Sequence, residues 1–149
     1  MSLKFINCFV YKNKKLVKTD FAVIDGKFSF NLKKIKKYNQ VFDLKGARVY
    51  PGLCDIHTHG ALGFDFNVAS EKEMNDICEF YKDHGCTYLL ATIMTDDENQ
   101  MKKQLSLVAK VAKSQKIIKG IHLEGPFLSK EYKIHPLNRN GKEIALLIL

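Results

Sequence analysis

"PGLCDIHTHGALGFDF" (Pro51–Phe66) joins a short apolar run to two histidines, His57 and His59, with Asp55 just before them. Side chains alternate along a strand with period two, so Asp55, His57 and His59 are expected on one face. Two imidazoles leaving a strand end together read either as metal ligands or as a chance pair in a loop. The segments that follow settle the fold around them.

After Pro51-Gly52 strand and helix patterns alternate. "LCDIHTH" is a strand. "SEKEMNDICEFYKDHG" is a helix, opened by an S-x-x-E capping box at Ser70 and Glu73. Met74, Ile77 and Tyr81 fall on one helical face, and Gly85 supplies a C-terminal stop. "CTYLLATIMT" (Cys86–Thr95) is an apolar run suited to a buried parallel strand. "DDENQMKKQLSLVAKVAKSQ" predicts a second helix, with acids in its first turn and Met101, Leu105, Val108 and Ala112 as its inner stripe. "KIIKGIHLEG" predicts a third strand. The order β-α-β-α-β implies a parallel sheet with right-handed crossovers, an α/β fold class.

The first fifty residues follow a different grammar. "LKFINCFVY" predicts a strand, and "FAVIDGKFSF" a hairpin turning at Asp25-Gly26. "QVFDLKGARVY" adds two short extended pieces around Gly46. These pieces predict part of one small sheet that needs further strands.

Charge separates the same two regions. Residues 1–50 hold 12 Lys/Arg against 3 Asp/Glu, and residues 51–149 hold 12 against 13. The net charge of +8 therefore lies in the first third. Arginine, the residue suited to bidentate phosphate and base contacts, occurs only at Arg48 and Arg139, so the expectation is a solvated lysine surface and no nucleic-acid partner. No run of 18 apolar residues occurs, so no membrane span is expected. No signal-peptide pattern opens the sequence. Cys8, Cys54, Cys78 and Cys86 form no C-x-x-C pair and are expected as reduced, mostly buried thiols in a cytoplasmic protein.

Function in α/β proteins gathers at the C-terminal ends of the strands. His57 and His59 end the first strand, and Glu124 ends the third, in "GIHLEGPF". Histidine and carboxylate suit Zn²⁺, Fe²⁺ or similar ions. Each neighbour also has a structural reading. Asp55 caps a turn or orients a ligand; His84 compensates a helix dipole; His122 is a satisfied core histidine one layer below Glu124; Gly125-Pro126 is a turn.

"PGLCDIHTHG" resembles the metal-binding opening of the amidohydrolase superfamily, P-G-x-x-D-x-H-x-H-G. "HLEGPF" followed by "IHP" resembles one branch, the N-acetylglucosamine-6-phosphate deacetylase family. Many relatives use a carboxylated lysine as bridging ligand where this branch uses the Glu of "HLEGPF". The resemblance runs from the N-terminus to about Pro136. It implies a (β/α)₈ barrel preceded by part of a small β-sandwich. Residues 1–50 would belong to the sandwich and 51–149 to the first three βα units, with 137–149 a divergent tail. It implies hydrolysis of the acetamide of N-acetylglucosamine 6-phosphate to glucosamine 6-phosphate and acetate. It assigns His57, His59 and Glu124 as ligands of a divalent metal, Zn or Fe. It assigns Ile134 and His135 to the amino-sugar phosphate substrate, in "KIHP" where the family usually has G-A-H-P. It further implies a homo-oligomer.

A (β/α)₈ barrel takes ~250 residues, and three of its eight βα units fit between Pro51 and Leu149. The resemblance places two further metal histidines, the acid/base Asp and most phosphate contacts past residue 149. No catalytic residue is therefore assigned within the chain. The expectation is a truncated or frameshifted reading frame, a deacetylase by descent that is inactive alone. The alternatives are a non-catalytic fragment, or another amidohydrolase such as a dihydroorotase-like enzyme. Glu124 in "HLEGPF" argues against the last.

Overall fold

The computed structural model describes residues 1–35, 37–125 and 147–148. It is a mixed α/β structure that divides into two compact units, Met1–Pro51 and Gly52–Leu149.

The first unit is built from β1 (Ser2–Ile6), β2 (Phe9–Lys12), β3 (Lys15–Lys18), β4 (Phe21–Ile24), β5 (Lys27–Ser29), β6 (Gln40–Asp43) and β7 (Arg48–Val49). They make two sheets, in the orders β5-β4-β1-β6 and β3-β2-β7, where the residue pattern alone suggested one. The break lies inside "LKFINCFVY". Asn7 adopts a left-handed φ of 54°, which ends β1 and sends β2 into the other sheet. Asn and Asp tolerate that region better than other residues with a Cβ. The hairpin at Asp25-Gly26 forms as expected. Both residues have positive φ, and Ile24 faces Lys27 across the turn. A second hairpin, turning at Asn13-Lys14 into β3, also has positive φ at both central residues. Cys8, Val10 and Phe21 form the core of this unit, with Phe5, Val23, Leu44 and Val49 packed against them.

The second unit places β8 (Leu53–Thr58), β11 (Cys86–Met94) and β12 (Ile118–Glu124) side by side, with β11 central and both pairings parallel. A two-residue strand, β13 (Leu147–Ile148), pairs antiparallel with Gly120 and Ile121 of β12. The short hairpin of β9 (Gly60–Ala61) and β10 (Phe64–Asp65) follows β8 directly. Its turn residues, Leu62 and Gly63, both have positive φ, and a leucine carries no signal for that conformation.

Helix α1 (Glu71–Asp83) begins with the expected reciprocal cap. The Glu73 N–H donates to Ser70 Oγ, and the Ser70 N–H donates to Glu73 Oε2 at 2.7 Å. Met74, Ile77 and Cys78 are buried on its inner face. It stops before Gly85, whose φ is 81°. Helix α2 (Glu98–Val111) is capped by the Asp97 carboxylate, which accepts from the Asn99 and Gln100 N–H groups. Its inner face is rotated from the expected stripe. Met101 and Val108 are buried as expected, but Gln104 and Val111 join them, while Leu105 and Ala112 are only half-buried. These helices cover the central strand, whose Leu89, Ala91 and Ile93 are fully buried. Each fully buried Leu, Ile or Met side chain contributes about 1.5–3 kcal/mol. Among the described residues no helix is long and apolar enough to cross a membrane.

Candidate metal centre

Parallel pairing brings the C-terminal ends of β8 and β12 to the same edge of the sheet, with β11 between them. Thr92 lies beside His122 and Met94 beside Glu124, while Leu89 lies beside Asp55 and Ala91 beside Thr58. The second pair of registers shows that β8 uses one residue more than β11 over this interval, an irregularity at Ile56-His57. β8 ends at Thr58, so His59 lies just outside the strand. Simple alternation from Asp55 to His59 therefore does not describe the site.

The two histidines meet nevertheless. Nε2 of His57 and Nε2 of His59 each lie 3.2 Å from Oε2 of Glu124. Their rings are 5.2 Å apart, tilted by 64°. One ligand atom from each of the three residues falls within 4.8 Å of the other two. All three side chains are partly exposed, at 48%, 40% and 37%, so the cluster opens to solvent. Ligands ~2.1 Å from a tetrahedral ion sit ~3.4 Å from one another, close to the two 3.2 Å separations between the imidazoles and Glu124. The donor chemistry, two imidazole nitrogens and a carboxylate oxygen, is that of Zn²⁺ or Fe²⁺. The residues present thus fit a divalent ion.

Asp55 stands outside this trio. Its Oδ1 accepts the His57 backbone N–H at 3.0 Å and so shapes the strand end. His122 packs edge-on against His57, with ring centroids 4.4 Å apart at 89°. It is not the satisfied core histidine expected. Its Nδ1 is shielded from solvent without a hydrogen-bond partner among the described residues. Burial foremost, then the neighbouring His57, pushes its pKa below the ordinary imidazole value and keeps it neutral. His84 follows α1, where its Nδ1 lies 2.7 Å from the Phe80 carbonyl oxygen, consistent with a helix-end role. Ile134, His135 and Pro126 lie outside the described residues.

Several supporting residues escaped sequence reasoning. The Thr58 N–H donates to Thr92 Oγ1 at 3.0 Å. Asn67 is buried and pairs twice with the end of β11: the Met94 N–H donates to Asn67 Oδ1 at 2.8 Å, and Asn67 Nδ2 donates to the Met94 carbonyl at 3.1 Å. The Tyr81 hydroxyl donates to the Gly60 carbonyl at 3.2 Å. Tyr81 carried the one available signal, a polar tip on a helical face otherwise assigned to the core.

No protein-family model matches the chain. Curated relatives do. An N-acetylglucosamine-6-phosphate deacetylase of Danio rerio is 31% identical over 144 residues, covering 89% of this chain and 35% of the relative. The Homo sapiens enzyme of the same name is 28% identical over 145 residues, covering 90% and 35%. A crystal structure of N-acetylglucosamine-6-phosphate deacetylase from Pasteurella multocida superposes with a TM-score of 0.75 at 26% identity, covering 88% of this chain and 36% of that one. The corresponding Mycobacterium smegmatis structure gives 0.69 at 25% identity, covering 95% and 41%. The chain spans about a third of the length of the curated relatives it matches. On these grounds the chain is similar to the N-terminal portion of the N-acetylglucosamine-6-phosphate deacetylases.

Proposed function

We propose that this chain supplies the metal-holding opening segment of a deacetylase acting on N-acetylglucosamine 6-phosphate. The observation that carries the reading is the convergence of His57, His59 and Glu124 from the ends of two parallel strands. The relatives' names supply the substrate class. In this reading Gly52–Leu149 contributes the first βα units of a (β/α)₈ barrel, and Met1–Pro51 contributes part of a β-sandwich. Ile134 and His135 contact the sugar phosphate, and the whole protein is a cytoplasmic homo-oligomer.

The reaction breaks the amide C–N bond, adding the oxygen of water to the acetyl carbon and a proton to the departing amine. A divalent ion, Zn²⁺ or Fe²⁺, would polarise the amide carbonyl and supply a water of lowered pKa, ~7. His57, His59 and Glu124 would hold it, and the Glu124 carboxylate would offset part of its charge. Their partial exposure would leave a bound ion accessible to substrate. The resemblance places the proton-transfer residue outside this trio.

A chimera joining residues 1–125 of this chain to the C-terminal portion of a matched relative tests the assignment. The folded chimera is expected to release acetate from N-acetylglucosamine 6-phosphate, and Glu124→Gln is expected to abolish release. A folded, metal-loaded chimera that releases none contradicts the proposal.

A further inference from the structure

His59 sits beyond the last residue of β8, so the strand ladder does not hold it. Its backbone is fixed by other means. On its N-terminal side, the Thr58 N–H is held by Thr92 Oγ1. Its own carbonyl accepts the Phe66 N–H at 2.8 Å. On its C-terminal side, the Gly60 N–H reaches Thr58 Oγ1 at 3.3 Å, and the Gly60 carbonyl accepts from the Tyr81 hydroxyl at 3.2 Å. The Tyr81 and Thr58 hydroxyls are also hydrogen-bonded to each other. Donations can therefore run in a closed cycle, from Gly60 N–H to Thr58 Oγ1, from the Thr58 hydroxyl to Tyr81, and from Tyr81 back to the Gly60 carbonyl. This cycle spans His59.

Within the turn, Thr58 Oγ1 also lies 3.3 Å from the Gly60 carbonyl oxygen, and the Tyr81 hydroxyl adds a donor from outside it. Gly60 has a φ of 148°, and an added Cβ would lie 2.0 Å from the Phe64 carbonyl oxygen. The turn is clamped from outside, by a hydroxyl carried on α1. The Tyr81 ring packs against the core of the unit, so only its oxygen serves the turn.

We propose that Tyr81 is a positioning residue for His59: its hydroxyl locks the Thr58–Gly60 turn and so aims the His59 imidazole at Glu124. This rests on the reading of His59 as a metal ligand for its consequence in affinity, but the aiming itself can be observed without metal. Groups that orient a ligand from behind typically alter metal affinity 10- to 100-fold.

Tyr81→Phe removes the hydroxyl and keeps the ring. In the metal-free chain, its imidazole NMR signals are expected to show His59 shifted and broadened while His84 stays in place. In a Zn²⁺ titration, Tyr81→Phe is expected to weaken binding by about 10-fold. In a His59→Ala background the same substitution is expected to add nothing. An unmoved His59 signal overturns the proposal. So does an equal loss of affinity with and without His59, which would mark a general effect on the fold. If the unsubstituted chain binds no Zn²⁺, the deacetylase reading fails, while the His59 signal still decides whether Tyr81 aims that ring.

Discussion

His57 and Glu124 lie 67 positions apart in the chain, yet Nε2 of the first is 3.2 Å from Oε2 of the second. Local sequence cannot create that proximity. It follows from the parallel pairing of β8 and β12 with the central strand β11, which brings both C-terminal ends to one edge.

The buried tie between Asn67 and Met94 holds the loop after the histidines against β11. Asn67→Ala leaves the Met94 N–H and carbonyl without these partners, and each unsatisfied group costs about 1–3 kcal/mol. Urea unfolding is expected to lose about 2–6 kcal/mol in total, with a lowered midpoint and an unchanged m-value. A loss below 0.5 kcal/mol, on the order of a typical surface substitution, would show that the tie does not hold the loop.

The capping box of α1 gives a smaller effect. Ser70→Ala removes the acceptor for the Glu73 N–H and is expected to cost about 1 kcal/mol. Glu73→Gln retains hydrogen bonding to the Ser70 N–H and is expected to cost less. Thermal unfolding of the two variants ranks them directly.

Thiol chemistry separates the four cysteines. Cys54 is exposed, whereas Cys8, Cys78 and Cys86 are buried. Burial pushes the Cys78 thiol up to about 11 from 9.0. Near neutral pH its thiolate population is thus about 100-fold smaller than that of an ordinary thiol. Maleimide at pH 8 is expected to label Cys54 first, with Cys78 reacting only after unfolding. The sign of the stability effect follows. Between pH 9 and about 11 the unfolded thiol ionises while the folded one keeps its proton, so Cys78 contributes a fall in stability as pH rises through that window. A Cys78→Ala variant is expected to show a shallower alkaline decline in urea midpoints.

Much of the α/β unit was legible because its signals are local. Ser70 and Glu73 announce the start of α1, the apolar run from Cys86 announces a buried strand, and Gly85 marks a stop. The division of the first fifty residues into two sheets was not legible in the residue pattern itself. It depends on Asn7 leaving the extended conformation and on long-range pairing, such as Phe5 with Phe42 and Phe9 with Arg48. The rotation of α2 was missed because polarity excluded Gln104 from the inner stripe, although it is buried there. At the site, the ligand types His57, His59 and Glu124 stood out by motif. The residues around them did not, since Thr58, Thr92, Asn67 and Tyr81 act through backbone groups that no spacing rule identifies.

In the proposed function, His57, His59 and Glu124 form one ion-binding centre. Zn²⁺ stoichiometry and affinity of the metal-free chain, measured beside Glu124→Gln, test it most directly. Glutamine keeps the size of the side chain and removes its charge. One Zn²⁺ per chain is expected, with affinity reduced by at least about 100-fold in the variant, the upper range seen even for residues that only support a ligand. No bound ion, or equal affinity in the two proteins, would contradict it.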